Sequence, residues 1–497
     1  MAKEAPKSYC DYVFNLDKNN IHKIYHDEQY GFKIDDDNEL FGRLILEINQ
    51  AGLSWTTILV KQNNFRKAFS GFNIQKIAKY GEDDINRLLS DSGIFRNKMK
   101  INSVKEAKKI ILDSIKPITK TEIVNLDKCI NRILKNTLSS KRTQPSFDTS
   151  SMDGYAISKK DIKKIPLRLK IKDEIKAGDI PKLSLKSGYA IRVFTGSFLP
   201  KGTERVILQE FCKKDNNEII INKLGIDKYI RKQGEDFFKG ESLLSSNCLL
   251  DANKIALAGA MNFKKLKVYK KPKIAVLANG NELNEPGERL NLFKQPASTK
   301  PAIMTLINEW GGVPIDLGIA KDTVKSLKTK LKKGLKFDMI VTIGGASVGD
   351  YDLVQKSLNE LNFKLNFWKI NMRPGKPLMF GQSGNVPILG LPGNPVSSIV
   401  CSHLFLKQSI YKLQNYHFEE NISKLKLSKD LPPNGDREHY IRGYISKNSK
   451  DELLAAPLNN QDSASLSSLS KANILIIRKP KERKAKKNSF VKVINLK

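Results

Sequence analysis

Three segments between residues 279 and 398 carry the residue types that handle phosphate and metal. They are Asn279-Gly280-Asn281-Glu282, Gly344-Gly345-Ala346-Ser347-Val348-Gly349-Asp350-Tyr351-Asp352 and Gly390-Leu391-Pro392-Gly393-Asn394-Pro395-Val396-Ser397. Glycines let a backbone approach a phosphate closely, and Glu282, Asp350 and Asp352 supply hard oxygen ligands suited to Mg²⁺. In the third segment Asn394 is a good N-cap and Pro395 fits the first helical turn, so a helix start there offers free N–H groups and a positive dipole end to an anion. A metal-bridged phosphate is the natural reading. Neither GxGxxG nor GxxxxGK[ST] accompanies these loops, so dinucleotide and P-loop readings lack their fingerprints. Arg373-Pro374-Gly375-Lys376-Pro377 adds two cations in a rigid turn. There Lys376 either binds an oxyanion as a point charge or stands as an exposed turn lysine.

A second cluster is Phe147-Asp148-Thr149-Ser150-Ser151-Met152-Asp153-Gly154-Tyr155-Ala156, with Phe194-Thr195-Gly196 and Gly234-Glu235-Asp236 further on. Small and acidic residues beside glycines can hold a ligand or metal, or form Asx turns; spacing does not choose between them.

The elements that must position these residues follow from periodicity. Residues 271–412 alternate strand and helix: strands at Lys273–Ala278, Met339–Ile343 and Val386–Leu389, helices over 301–310, near 351–361 and from 395. That rhythm predicts βαβ units around a parallel sheet, with all three loops on its carboxyl edge, where open α/β sheets bind ligands. Residues 145 to about 270 give short alternating runs such as Ala190–Phe194 and Arg205–Leu208, a β-rich pattern. The last 80 or so residues return to such runs at Tyr440–Ile445 and Ile474–Ile477, a small β domain. Arg478–Lys487 reads as a solvated basic hairpin. Helical patterns cover Leu40–Ile48, Ile85–Leu89, a stretch from residue 103 ending at Pro117, and Leu126–Leu134.

With 497 residues, the chain has room for three or four domains at roughly 100–200 residues each. Its net charge of +34 is the outlying number, and 40% hydrophobic content is ordinary for a globular protein. Residues 1–102 carry 15 Lys/Arg and 14 Asp/Glu, so almost all the excess lies beyond them. Either Lys-rich composition or anionic partners accounts for it. Met1–Lys7 lacks the apolar core of a secretory signal, and no stretch approaches the 18 apolar residues of a membrane span. Five cysteines, with no CxxC pair, indicate neither a disulfide framework nor a zinc ribbon. The cytoplasm is the expected compartment.

Residues 103–497 resemble the molybdopterin molybdotransferase family, the MoeA and gephyrin E-domain type. The matching stretches are PSFDTSSMDGYAI (145–157), RVFTGSFLPKGTERVILQE (192–210), QGEDFFKGE (233–241), GNEL (280–283), GGASVGDYD (344–352), MRPGKP (372–377), GLPGNPVSS (390–398) and NNQDSASLSSLSKAN (459–473). The resemblance implies a MogA-like α/β domain at 271–414, a β-rich domain at 147–237, a linker and dimerisation domain from 103–146 and 238–270, and a C-terminal β domain at 415–497. It implies a homodimer whose cleft lies between the α/β domain of one chain and the SMDGYA domain of the other. The implied reaction takes adenylyl-molybdopterin and molybdate and, with Mg²⁺, releases AMP; contact with the molybdopterin adenylyltransferase would follow.

By motif position the resemblance assigns catalysis to Asp153, Thr195, Asp236, Glu282, Asp322 and Asp352. Glu282, Asp350 and Asp352 are its metal candidates, and Gly344, Gly345, Ser347 and Pro392–Pro395 its substrate loops. Lys376, Ser397, Ser463 and either Arg437 or Arg442 fall where the family binds molybdate. Two departures stand out: the family's GDEL reads Gly280-Asn281-Glu282-Leu283, and its Asn-containing segment before the next helix reads Gln295-Pro296-Ala297-Ser298-Thr299.

Residues 9–102, a short all-α piece, resemble a truncated DNA-3-methyladenine glycosylase I. The carriers are Tyr25-His26-Asp27-Glu28, Leu46–Trp55 and Asp91–Lys98. The resemblance implies that Tyr25, Glu47 and Trp55 sit where a flipped base is read, and that Cys10 and His26 are half of a structural zinc site. It ends near Ile101, about halfway through that family's domain, without the other two zinc ligands. A net charge of +1 is a poor footing for DNA, so nucleic acid is not an expected partner. Molybdenum insertion is the leading function; base excision by the N-terminal piece, or a non-catalytic scaffold, is the alternative.

Overall fold

The computed structural model describes residues 8–50, 55–91, 93–94, 101–162, 165–180, 182, 184–289, 291–344, 357–358 and 360–496. Helix α1 (Asp37–Gln50) and helix α2 (Trp55–Ala68) dominate the N-terminal piece, where Leu46, Ile58, Phe65 and Phe72 form a small core. Helix α3 (Val104–Ser114) begins in a capping box, Ser103 Oγ accepting the Glu106 N–H and the Glu106 carboxylate accepting the Ser103 N–H.

The β-rich sheet is built from β1 (Gly154–Ser158), β2 (Leu167–Ile175), β3 (Tyr189–Val193), β4 (Thr203–Leu208), β5 (Cys212–Asp215) and β6 (Glu218–Ile221), in the order β4-β1-β3-β2-β6-β5. Its alternating Ile and Val residues bury Ile157, Ile207 and Ile219 on one face and Ile191, Val193 and Val206 on the other.

The α/β unit comprises β7 (Lys273–Asn279), α4 (Thr299–Glu309), β8 (Val313–Ala320), α5 (Val324–Gly334), β9 (Met339–Ile343), β10 (Phe363–Trp368), β11 (Met379–Ser383), β12 (Val386–Leu391) and α6 (Pro395–Cys401), with sheet order β8-β7-β9-β12-β11-β10. β8, β7, β9 and β12 are mutually parallel. β10 and β11 are antiparallel additions that the strand–helix rhythm does not reveal. The turn carrying Lys376 therefore precedes β11, and the hairpin to β12 lies between it and the third loop.

The last unit closes on itself. β13 (Ile422–Leu427), β14 (Glu438–Lys447), β15 (Leu453–Pro457), β16 (Ile474–Arg478) and β17 (Phe490–Asn495) pair around a ring, β14 bonding both β15 and β16. Closure removes free sheet edges. The barrel also takes Met372–Arg373 from the α/β unit as a short parallel addition to β14.

Three expectations change. Leu126–Leu134 holds one 3₁₀ turn, Leu126–Lys128, because Asn131 adopts φ 57° and Ile133 and Leu134 enter bridges to Leu249 and Val268. Helix α3 packs Ala107 and Ile111 into the same core as Ile274, Val341 and Phe405, and not with the linker core around Cys129, Phe237 and Leu266. Arg478 starts the basic hairpin yet is 1% exposed, giving its guanidinium to the carbonyls of Pro432 and Arg483. The helix near 351–361 lies almost wholly outside the described residues.

Gly154 begins β1 in the SMDGYA stretch, and a Cβ there would lie 2.0 Å from the Ile207 carbonyl oxygen of β4. Gly154→Ala is expected to lower stability by about 3 kcal/mol through overpacking against backbone, read as a fall in denaturant midpoint at constant m-value.

Candidate functional site

The parallel register sets the site. Ala278 pairs with Ile343 and Ile343 with Leu391, so the three strands end in one row and their loops open onto a common crevice. A cavity of about 750 Å³ lies there, lined by Gly280, Glu282, Asp322, Gly344, Pro392, Gly393, Asn394, Pro395 and Ser397, with Pro377 and Ala464 at its margins. Gly344 holds φ 89°, and a Cβ on it would stand 2.9 Å from the Asn279 carbonyl, so glycine is required at that crossing. Gly345, Ser347, Asp350 and Asp352 lie outside the described residues.

The Asn281 departure has a structural counterpart. The Asn281 N–H donates to Asp322 Oδ2 at 2.9 Å, and the Asp322 N–H donates to Asn281 Oδ1 at 3.1 Å. This reciprocal pair joins the loop after β7 to the loop after β8. An aspartate at 281 would set a second carboxylate against Asp322; the amide keeps the acceptor without the repulsion. The Glu282 carboxylate folds over Gly280, 2.6 Å from where a Cβ would stand.

The helix start departs from expectation. Asn394 occupies the N-cap position of α6, but its side chain makes no cap bond; Nδ2 donates to Ser463 Oγ at 2.9 Å. Val396 gives its N–H to the Ser463 carbonyl at 3.1 Å, and Pro395 has none to give. The barrel's 459–466 loop thus uses donors that the sequence leaves for an anion, and Ser397, 4% exposed, adds a hydroxyl to the cavity lining beside Asn394 and Pro395. Lys376 is exposed, next to the cavity residue Pro377.

Of the two arginines, Arg437 is exposed and Arg442 is 0% exposed. Arg442 donates to the Asp462 carbonyl, the residue before Ser463, and its Nε and Nη1 have no hydrogen-bond partner among the described residues. His439 is pushed down to about 4, first by burial and then by Arg373, Arg442, Arg437 and Arg478 around it, so it is neutral at pH 7. Lys300, 4% exposed on the cavity wall, gives no signal in the sequence. A lysine in a helical pattern reads as solvated, and only the fold shows what covers it.

Asp153, Thr195 and Asp236 lie apart from this cavity. Asp153 Oδ1 accepts the Thr195 N–H at 2.8 Å and its hydroxyl at 2.9 Å, and these bonds hold the carboxyl below its ordinary 3.8. Asp236 lines a second cavity of about 590 Å³ with Arg142, Arg231, Glu235 and Gly196. Within one chain, the sequence-assigned residues therefore fall into two groups on two units.

In the N-terminal piece Tyr25 and Trp55 meet edge to face at 5.3 Å with Arg43 over the Tyr25 ring, while Glu47 is exposed. Cys10 Sγ is 3.2 Å from His26 Nε2, and His26 Nδ1 is 2.9 Å from Asp27. Among the described residues no cluster of three or more His, Cys, Asp or Glu is placed to hold a metal. No helix among them is long and apolar enough to cross a membrane.

A carboxyl-edge cavity on a parallel sheet, closed at its margin by a barrel loop, defines a ligand-binding α/β enzyme of the molybdopterin-binding class: residues 275–412 match the model described as a probable molybdopterin binding domain. Residues 102–261 match the MoeA N-terminal region, domains I and II, and 424–496 the MoeA C-terminal region, domain IV. The chain is 33% identical over 357 residues to the molybdopterin molybdenumtransferase of Nostoc sp., covering 69% of this chain and 82% of that one. It is 31% identical over 382 residues to that of Haemophilus influenzae, covering 75% and 93%. The MoeA crystal structure from Pyrococcus horikoshii superposes with TM-score 0.67 at 27% identity, over 80% of this chain and all of that one. The chain belongs to the molybdopterin molybdenumtransferase family.

A methyladenine glycosylase model also matches residues 15–168, beyond the Ile101 limit of the motif resemblance. The fold places the overlap with the transferase body: Thr121–Asn125 pairs with Lys265–Tyr269, and β1 lies inside the β-rich sheet.

Because the Asp153 carboxyl is held low by Thr195, it favours the folded state above pH 3.8, and that contribution is lost as pH falls through its lowered native value. Thr195→Val removes the hydroxyl bond and keeps the N–H bond. Side-chain carboxyl NMR is expected to show the Asp153 midpoint moving up toward 3.8 in this variant and staying near the native value in Thr195→Ser.

Proposed function

We propose that this chain inserts molybdenum from molybdate into adenylyl-molybdopterin with release of AMP. The cavity at the carboxyl edge carries the reading, because one crevice gathers acidic, glycine-backed and hydroxyl groups of the α/β unit, with Ala464 and Leu466 of the barrel loop against them. Gly344 and the Pro392–Ser397 turn bring backbone close to the phosphate end of the pterin. Ser397, Ser463 and Lys376 supply hydroxyl and ammonium donors for the molybdate oxygens, and Arg442 adds positive charge while it anchors the Asp462–Ser463 carbonyl side.

The Glu282 and Asp322 carboxylates line the cavity without an ion-pair partner among the described residues, hard donors that suit a largely hydrated Mg²⁺. With Asp350 and Asp352 they would hold the ion, which when bound neutralises diphosphate charge. The reciprocal Asn281–Asp322 bonds tie Asp322 to the wall of the crevice.

Asp153, Thr195 and Asp236 complete the site from a second copy. The cavity that Asp236 lines carries Arg142 and Arg231, cations fit for phosphate, and it lies apart from Glu282 within one chain. Ile123 and Ile130, 68% and 49% exposed on the linker unit, offer apolar surface for such a homodimer. The adenylyltransferase that makes the substrate is its natural donor, in the cytoplasm. The glycosylase alternative rests on the N-terminal piece alone, and a scaffold would not need the unpaired cavity carboxylates.

Asp322→Asn keeps an acceptor for the Asn281 N–H and removes the charge. AMP release and molybdenum insertion are expected to fall at least about 100-fold with unchanged melting temperature, and the variant should not restore nitrate reductase activity in a transferase-deficient strain that the unaltered chain rescues. Activity retained within about twofold would remove Asp322 from the mechanism.

A further inference from the structure

Between Gly280 and Ser298 the chain leaves the sheet and returns. Leu283–Asn284 pairs in parallel with Gln295–Pro296, with the Gln295 N–H on the Glu282 carbonyl and the Ala297 N–H on the Asn284 carbonyl, both at 2.8 Å. Lys294 Nζ adds a bond to the Asn281 carbonyl. The segment so tied off carries Glu282 at its inner end and the solvent-exposed Leu292 and Phe293 at its tip, and its base forms one wall of the cavity.

One buried charge fixes this segment to the body. Lys300, in the first turn of α4, sends Nζ to Glu285 Oε1 at 2.5 Å and to Asp316 Oδ2 at 2.8 Å. Its partners come from two other elements: Glu285 from the segment itself, and Asp316 from the edge strand β8. Removing an ammonium from water costs several kcal/mol unless it is well paired. With two carboxylates the lysine stays charged despite burial, its pKa raised by both. An apolar residue would fill the same space more cheaply, but it would not fix the segment's direction. Glu285 is three residues from Glu282, so any swing of the segment about its base carries the Glu282 carboxylate with it.

We propose that Lys300 is a positioning residue of the transferase site: through Glu285 and Asp316 it holds the pterin-side wall, with Glu282, in the geometry that takes the adenylylated substrate. This rests on the function proposed above and adds to it a division of labour. The Lys300 clamp serves the pterin substrate, while molybdate is held from the other wall by Lys376, Ser397 and Ser463.

Steady-state kinetics of AMP release separates the two walls. Glu285→Gln removes the charge from the loop side of the clamp and keeps the buried Lys300–Asp316 pair, so the fold is retained. It is expected to raise the KM for adenylyl-molybdopterin about tenfold and to leave the KM for molybdate within about twofold. Lys300→Met should show the same split and Lys300→Arg should recover most of the loss. Equal shifts for both substrates, or none in Glu285→Gln, overturn the role of Lys300 and leave the function standing. An unaltered chain that neither binds nor cleaves adenylyl-molybdopterin overturns the functional reading, and this one with it.

Discussion

Everything at the proposed centre depends on the parallel register of β7, β9 and β12. Ala278, Ile343 and Leu391 end level with one another, so three loops far apart in sequence open at one height above the sheet. The register is enforced by burial on both faces: Ile274, Val276, Val341 and Leu389 on one side, Ala275, Leu277, Ile340 and Ile388 on the other. Strands buried on both faces read as unbroken apolar runs, and a slip of one residue would exchange the two sets. The glycines and acids at the strand ends inherit their positions from that packing.

The same burial explains what was legible in the sequence. Three of the four parallel strands, β7, β9 and β12, show as apolar runs ending at glycine, and the loops after them as clusters of Gly, Asn and Glu; β8 escaped because Pro314, Asp316 and Gly318 interrupt its run. β10 and β11 escaped because Phe363-Lys364-Leu365-Asn366-Phe367 and Met379-Phe380-Gly381 are short, mixed runs on either side of a Pro-rich turn. Leu126–Leu134 misled because Cys129, Ile133 and Leu134 are buried at spacings that a helix also produces, while Asn131 turns the chain between them. Lys300 could not be found by pattern, and the burial that separates Arg442 from Arg437 could not be either. Burial of a charge is a property of what packs over it, and those neighbours come from residues 15 or more positions away.

The helix start at Asn394 shows how a local rule can hold in type and fail in use. An Asn–Pro pair does begin α6, but the Asn394 amide and the Val396 N–H are taken by Ser463 from the barrel loop 69 residues on. That substitution seats the barrel against the α/β unit. It also converts an open anion site into a wall with a defined hydroxyl, so specificity at this edge is set by tertiary contact as well as by the helix dipole.

Charge follows the same logic of placement. The chain's excess of +34 falls almost entirely outside residues 1–102, and the body's cations near the two cavities are of two kinds. Lys300 and Arg442 are buried and committed to carboxylates or carbonyls, where they fix geometry. Lys376, Arg373 and Arg231 are exposed, Lys376 next to the cavity residue Pro377 and Arg231 on the second cavity, where an approaching anion meets positive charge first. A uniformly solvated lysine-rich surface would give attraction without orientation. Burying some cations to shape the walls while leaving others at the mouth supplies both, and on a chain this basic the buried ones decide where an anion comes to rest.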